Sequence, residues 1–242
     1  MSDDSFGAPP PLPFDAGRAE RRPEYDAAAR ALADLLAEVL AEVLAERGAS
    51  GFGRASGPRV VVGVAGESGS GKSVTAAGLA RELAARGVPA GVIHQDDYFV
   101  RPPKANHAHR LLDLAHVGPH EVDLARIAEH VAAFRAGRDG VEAPLVDYPR
   151  DRFVVERRDF SGLAALVVEG TYVLTLADLD ARVFLEATHE HTRERRRSRA
   201  RDPETSIEAR VLAIEHAVIA RQALAADVLV DAGFRPRRAP RP

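Results

Sequence analysis

The eight residues Gly66-Glu67-Ser68-Gly69-Ser70-Gly71-Lys72-Ser73 constrain this chain more tightly than any other stretch. They fit the pattern G-x-x-x-x-G-K-[ST], and the flanks supply what such a loop needs: Arg59 to Ala65 reads as a buried strand and Val74 to Arg86 as a helix. The three glycines let the backbone curl until its N–H groups converge, and the helix starting at the same place adds a partial positive charge. A phosphate group is the anion that suits such a concavity. Lysine usage agrees, because Lys72 and Lys104 are the only lysines among 33 basic residues. A chain that otherwise relies on arginine places a compact ammonium here. We read Gly66, Glu67, Ser68, Gly69, Ser70, Gly71, Lys72, Ser73 and Val74 as a nucleotide phosphate site. In that reading Lys72 reaches the β- and γ-phosphates and the Ser73 hydroxyl reaches Mg²⁺.

A length of 242 residues suits one α/β domain with appendages. The net charge of −3 gives bulk electrostatics no means of recruiting nucleic acid or a membrane surface. With no cysteine, disulfides and thiolate metal sites are excluded, which is compatible with a reducing compartment. No apolar run approaches the ~20 residues needed to span a bilayer, and the N-terminus lacks the basic and then apolar regions of a signal peptide. The expectation is a cytoplasmic protein. Histidines do not fall at zinc-ligand spacing: His107/His109 and His189/His191 are two apart, and His116 and His120 enclose Gly118-Pro119, which breaks a helix. They read as solvated or capping.

Residues 1–23, with Pro9-Pro10-Pro11 and Pro13, read as a disordered leader. Residues 24–57 read as an amphipathic helix followed by a Gly/Ser linker. In that helix Leu32, Leu35, Leu36, Val39, Leu40, Val43 and Leu44 make one apolar stripe that either the chain's own domain or a homodimer partner must cover. Residues 58–232 carry the main domain. Within it, strands over Ala90–His94, Leu163–Val168, Ala181–Glu186 and Asp227–Asp231 alternate with helices over Glu121–Arg135 and Glu204–Ala223. Arg101–His116 reads as loop because of Pro102-Pro103, Pro144–Glu156 as extended, and 233–242 as a basic disordered tail. This alternation predicts the α/β class, a parallel sheet covered on both faces in a three-layer αβα sandwich. Ligands of such sheets bind at the carboxyl ends of the strands.

Three strand ends carry chemistry there: the phosphate loop, Asp96-Asp97 after Ala90–His94, and Glu169 after Leu163–Val168. One carboxylate can hold Mg²⁺ while another orients and deprotonates an attacking hydroxyl. Arg193, Arg197 and Arg201 fall on one helix face with Arg196 beside them. As a lid they would stabilise charge in transfer and exclude water; nucleic-acid binding would need wider basic support and interleaved aromatics. No N-K-x-D base reader is present, and Asp159-Phe160-Ser161-Gly162 precedes a strand instead of ending one, which excludes a GTPase. The L-S-G-G-Q-like signature of ABC ATPases is missing too. A kinase of small molecules is left, with a regulatory nucleotide-binding module that grips a protein partner through Tyr25–Arg47 as the competing reading.

Val64-Ala65 with the phosphate loop, Gln95-Asp96-Asp97-Tyr98-Phe99, Val168-Glu169-Gly170, the arginine-rich helix and Ala226-Asp227-Val228-Leu229-Val230 together resemble the uridine kinase / phosphoribulokinase group of P-loop kinases, over about residues 59 to 231. The resemblance implies a P-loop NTPase fold and use of ATP and Mg²⁺. It implies Asp96 as activator of the acceptor hydroxyl, and Glu169 as holding Mg²⁺ with Ser73, near Asp96. Lys72, Arg197 and Arg201 join Asp96 as the catalytic set, and Asp97, Tyr98, Tyr148 and Arg152 join it around the acceptor. The Gln-Asp-Asp block also resembles nicotinamide riboside kinases. Uridine kinases carry P-x-Y-D and then a uracil-reading His; here Pro144-Leu145-Val146-Asp147 has Val146 at the Tyr position, and no His follows before His189. The expected acceptor is a small molecule, a nucleoside first, with another alcohol such as nicotinamide riboside as the alternative.

Overall fold

The computed structural model describes residues 25–49, 57–188, 191–192 and 206–240. Its centre is a six-stranded sheet. In chain order the strands are β1 (Val60–Gly66), β2 (Ala90–His94), β5 (Ala165–Gly170), β6 (Ala181–Leu185), β7 (Val228–Val230) and β8 (Pro236–Arg238), and in space they run β2-β5-β1-β6-β7-β8. All neighbours are parallel except β7 and β8. A separate antiparallel hairpin pairs β3 (Val141–Asp147) with β4 (Arg152–Arg158).

β1 is buried along its whole length, which is why it reads as an unbroken apolar run and not as an alternating one. Alternation still assigns its two faces. Val60, Val62 and Val64 join one core with α1 (Asp26–Glu46) and α2 (Lys72–Ala85), while Val61 and Ala65 join a second core with α4 (Leu124–Arg135). Ile219, the last residue of α5 (Ser206–Ile219), lies in that second core. These are the three layers the alternation predicts.

The stripe on α1 is covered from within. Leu32, Leu36, Leu40 and Leu44 are buried in the first core, and a Cβ added to Gly78 of α2 would meet Ala29 of α1 at 3.1 Å, so the two helices approach closely. The helix and residues 58–232 therefore share one core, and the argument for a homodimer from an uncovered stripe falls away.

Two expectations are corrected. Arg101–His116 contains a helix, α3 (Pro103–Leu112), because the proline pair stands at its start, where a missing N–H costs nothing. Its inward face is polar, with Asn106 and Arg110 bonded to buried Glu121, so no apolar period announced it. The tail expected to be disordered over 233–242 instead forms β8 in its described part: Arg237 pairs with Glu186 at 2.8 Å and Arg238 with Glu42 of α1 at 2.9 Å. Partners on other elements, invisible in a local window, order this basic segment.

Leu36 is 1% exposed between the two helices. Leu36→Ala is expected to cost about 2–5 kcal/mol of stability, read as a lowered urea midpoint with an unchanged slope.

Candidate active site

The phosphate loop closes around its own lysine. Lys72 Nζ donates to the Glu67 carbonyl at 3.0 Å, Thr192 Oγ1 donates to the Ser68 carbonyl at 3.1 Å, and Glu67 Oε1 lies 2.6 Å from His216 Nδ1 on α5. Gly71 precedes α2 with φ 102°, a backbone angle that L side chains rarely adopt. No acidic residue stands in the first turn of α2, so the helix N-terminus keeps its partial positive charge for a ligand. Ser70 Oγ is buried and has no hydrogen-bond partner among the described residues.

Strand register brings the carboxylates to the loop. Glu169 at the end of β5 is paired with Val64 of β1 on one side and His94 of β2 on the other. Its Oε1 accepts a hydrogen bond from Ser73 Oγ at 3.0 Å and lies 2.7 Å from His94 Nδ1. Burial works against its charge, but His94, Lys72 and Ser73 outweigh that and hold the Glu169 carboxyl below its ordinary range. Beyond it, Gly170 packs against Gln95 so closely that any Cβ there would collide with the Gln95 side chain.

Asp96 is the second residue of the turn after β2 and opens to solvent. Tyr148 Oη, from the hairpin, donates to its Oδ2 at 3.2 Å. Loss of water to the surrounding cleft and repulsion from Glu169 push the Asp96 carboxyl upward, against the opposing pull of Lys72 and the Tyr148 hydrogen bond. Asp96, Glu169, Ser73 and Lys72 thus form one electrostatic unit with unlike carboxylates: one pushed up, one held down.

Magnesium suits this donor set. Ser73 Oγ and the Glu169 and Asp96 carboxylates are hard oxygen ligands, and too few for a dedicated cage. Among the described residues no group of three or more His, Cys, Asp or Glu forms a metal cluster.

Not every expected residue reaches this centre. Asp97 is 1% exposed and ties the hairpin to the core: its Oδ1 accepts the Val146 N–H at 2.9 Å, and its Oδ2 faces the Arg158 guanidinium at 3.7 Å. Tyr98 is 2% exposed with its hydroxyl 2.6 Å from His130 Nδ1. Both were expected around an acceptor and are corrected to core positions, because the turn over Gln95–Tyr98 leaves only Asp96 of these four exposed. Arg152 is exposed and pairs with Asp147 Oδ2 at 3.3 Å, so its charge is shared with the hairpin's own tip. Arg197 and Arg201 lie outside the described residues. The sequence reading missed His94, His216 and Thr192. His94, read as solvated or capping, is a buried partner of Glu169, and its place as the last residue before Gln95 on a buried strand was the signal available.

A phosphate loop at the first strand of a mostly parallel sheet, with carboxylates at the end of the adjacent β5 and just past the end of β2 beyond it, defines the class of P-loop phosphotransferases. A family model described as phosphoribulokinase / uridine kinase family matches residues 61–231. The chain belongs to that family. It is similar to the bifunctional alpha-galactosidase/sucrose kinase AgaSK of Mediterraneibacter gnavus, with 34% identity over 60% of this chain and 17% of that protein. It is also similar to a uridine kinase of Proteus mirabilis, with 30% identity over 52% of this chain. The match spans 61% of that uridine kinase, less than two thirds of its length. In fold it matches a candidate fructose transport system kinase from Silicibacter sp. TM1040, with TM-score 0.56 and 24% identity, covering 82% of this chain and 94% of that one.

The Tyr98–His130 pair gives a pH test. Burial and the nearby Arg158 and Arg126 charges lower the His130 pKa to about 4. The unfolded chain, near the ordinary value of about 6.5, then binds the proton more readily, so the contribution is complete above about 6.5 and is lost as pH falls toward about 4. Urea midpoints of the parent should fall across this window, and a His130→Gln variant should show a flatter profile.

Proposed function

We propose that the protein is an ATP- and Mg²⁺-dependent kinase that transfers the γ-phosphate to a hydroxyl of a sugar-bearing small molecule. The observation that carries this reading is Asp96: an exposed carboxylate, pushed above its ordinary range by lost hydration and by Glu169, beside Ser73 and Glu169, which would hold Mg²⁺ in this reading, and hydrogen-bonded to Tyr148. In this reading Asp96 takes the proton of the acceptor hydroxyl, Tyr148 orients the carboxylate, and Lys72 leaves the Glu67 carbonyl to meet the phosphates. When bound, Mg²⁺ supplies charge neutralisation at the phosphate oxygens. Arg197 and Arg201 are assigned to the lid by sequence.

A nucleoside acceptor is the first reading, supported by the Gln95–Phe99 block and by the uridine kinase relatives. A free sugar is the second. It is favoured by the higher identity to the sucrose kinase-bearing protein, and by Val146, whose buried side chain offers no ring to read a base.

ADP release should be measured against uridine, cytidine, nicotinamide riboside, sucrose, fructose and glycerate. Turnover with a nucleoside or with a sugar selects between the readings; turnover with none of them, despite ATP binding, refutes the sugar-hydroxyl claim. Asp96→Asn should leave ATP affinity nearly intact and lower kcat on the order of 10²-fold or more. Because the charged form is the active one and its pKa is raised, the acidic limb of kcat/KM in the parent should lie above the ordinary aspartate value of about 3.9. An unchanged rate in Asp96→Asn removes the role assigned to Asp96.

A further inference from the structure

His94 closes β2, a strand whose preceding residues, 90–93, are Ala, Gly, Val and Ile, and it is buried there. An imidazole in such a place costs stability unless it is bonded. Register supplies the partner. His94 lies opposite Glu169 in the parallel pairing of β2 with β5, so the two side chains leave the sheet on the same face, and His94 Nδ1 stands 2.7 Å from Glu169 Oε1.

Among the described residues two side chains reach the Glu169 carboxylate, and both reach the same oxygen: Ser73 Oγ donates to Oε1 at 3.0 Å, and His94 Nδ1 meets Oε1 from the neighbouring strand. The two ties differ in kind. Ser73 is exposed, and its hydroxyl is itself a ligand in the Mg²⁺ reading. His94 is buried on a strand paired to β5 at every residue, so it is the stationary tie. With side-chain exposures of 6% for His94 and 5% for Glu169, water competes poorly for the bond between them. Such a tie has work to do, because the last torsion of a glutamate side chain is broad and roughly two-fold. Strand register therefore places the Glu169 carboxylate without setting its plane.

We propose that His94 is a positioning residue: by pinning Oε1 it holds the Glu169 carboxylate in the one orientation that receives Mg²⁺ together with Ser73. The inference rests on the reading of Glu169 as a Mg²⁺ ligand and adds to it the residue that prepares that ligand. A carboxylate that holds a cation is ionised and only accepts hydrogen bonds, so His94 Nδ1 carries the proton of this bond. Partners that orient a ligand in this way are typically worth about 10–100-fold in metal affinity.

The test is the affinity of the full chain with bound ADP for Mn²⁺, a stand-in for Mg²⁺ whose free form is read by electron paramagnetic resonance. Affinity for ADP in EDTA, by titration calorimetry, gives the metal-free comparison. His94→Leu removes the donor, whereas His94→Asn keeps one: its Nδ2 stands as many bonds from Cβ as the imidazole Nδ1 does. Ligand-free melting curves check folding; if His94→Leu does not fold, His94→Gln, whose nitrogen stands one bond further out, takes its place. His94→Leu should bind Mn²⁺ about 10–100-fold more weakly than the parent and His94→Asn within about threefold of it, with ADP in EDTA held within about twofold throughout. Three results would overturn the role: Mn²⁺ affinity in His94→Leu within about threefold of the parent, an equal loss in His94→Asn, or a loss of metal-free ADP binding that matches the loss of Mn²⁺. A Glu169→Gln variant with the parent's Mn²⁺ affinity refutes Glu169 as a ligand, a result distinct from the others.

Discussion

The site depends on the hydrogen-bonded register of three adjacent parallel strands. Because β5 lies between β2 and β1, its last carboxylate must stand between the histidine that ends one neighbour and the phosphate loop that ends the other. Glu169 is then charged where burial alone would neutralise it, since the surrounding donors and Lys72 overcome the lost hydration. Lost hydration first, and then the Glu169 charge, raise Asp96. One backbone pairing thereby sets two carboxylates apart in acidity without a residue devoted to the purpose.

A second tie positions the hairpin. Asp97 looks, in sequence, like a twin of Asp96, yet it spends its oxygens on the Val146 N–H and Arg158. That anchoring is how Tyr148, two residues beyond Val146, meets Asp96. Adjacent aspartates therefore divide the work: one faces the solvent side of the cleft, and the other fixes the strand that delivers the first one's partner.

Fold and loop were legible because their signals are local. A glycine-rich turn between an apolar strand and a helix, strand ends bearing carboxylates, and period-2 and period-3.6 runs all lie within windows of a few residues. What stayed hidden was set by partners far along the chain. Helix α3 buries charge against Glu121 and so carries no apolar stripe, and β8 is ordered by Glu186 and Glu42. Asp97 and Tyr98 share a motif with Asp96, but a motif states which residues are adjacent, not which way each side chain turns in a tight turn. His94 was passed over because histidines were searched for metal spacing, whereas its partner is 75 positions away.

The last described strand also guards the sheet. β8 adds an antiparallel strand to the outer side of β7, and it is only three residues long: a proline with no N–H to donate, followed by two arginines. A newcomer seeking to extend the sheet there would meet a short ladder with a gap in it. The segment that seemed a loose basic tail thus gives the sheet an outer edge that is short and lacks one ladder donor, a poor template for a further strand.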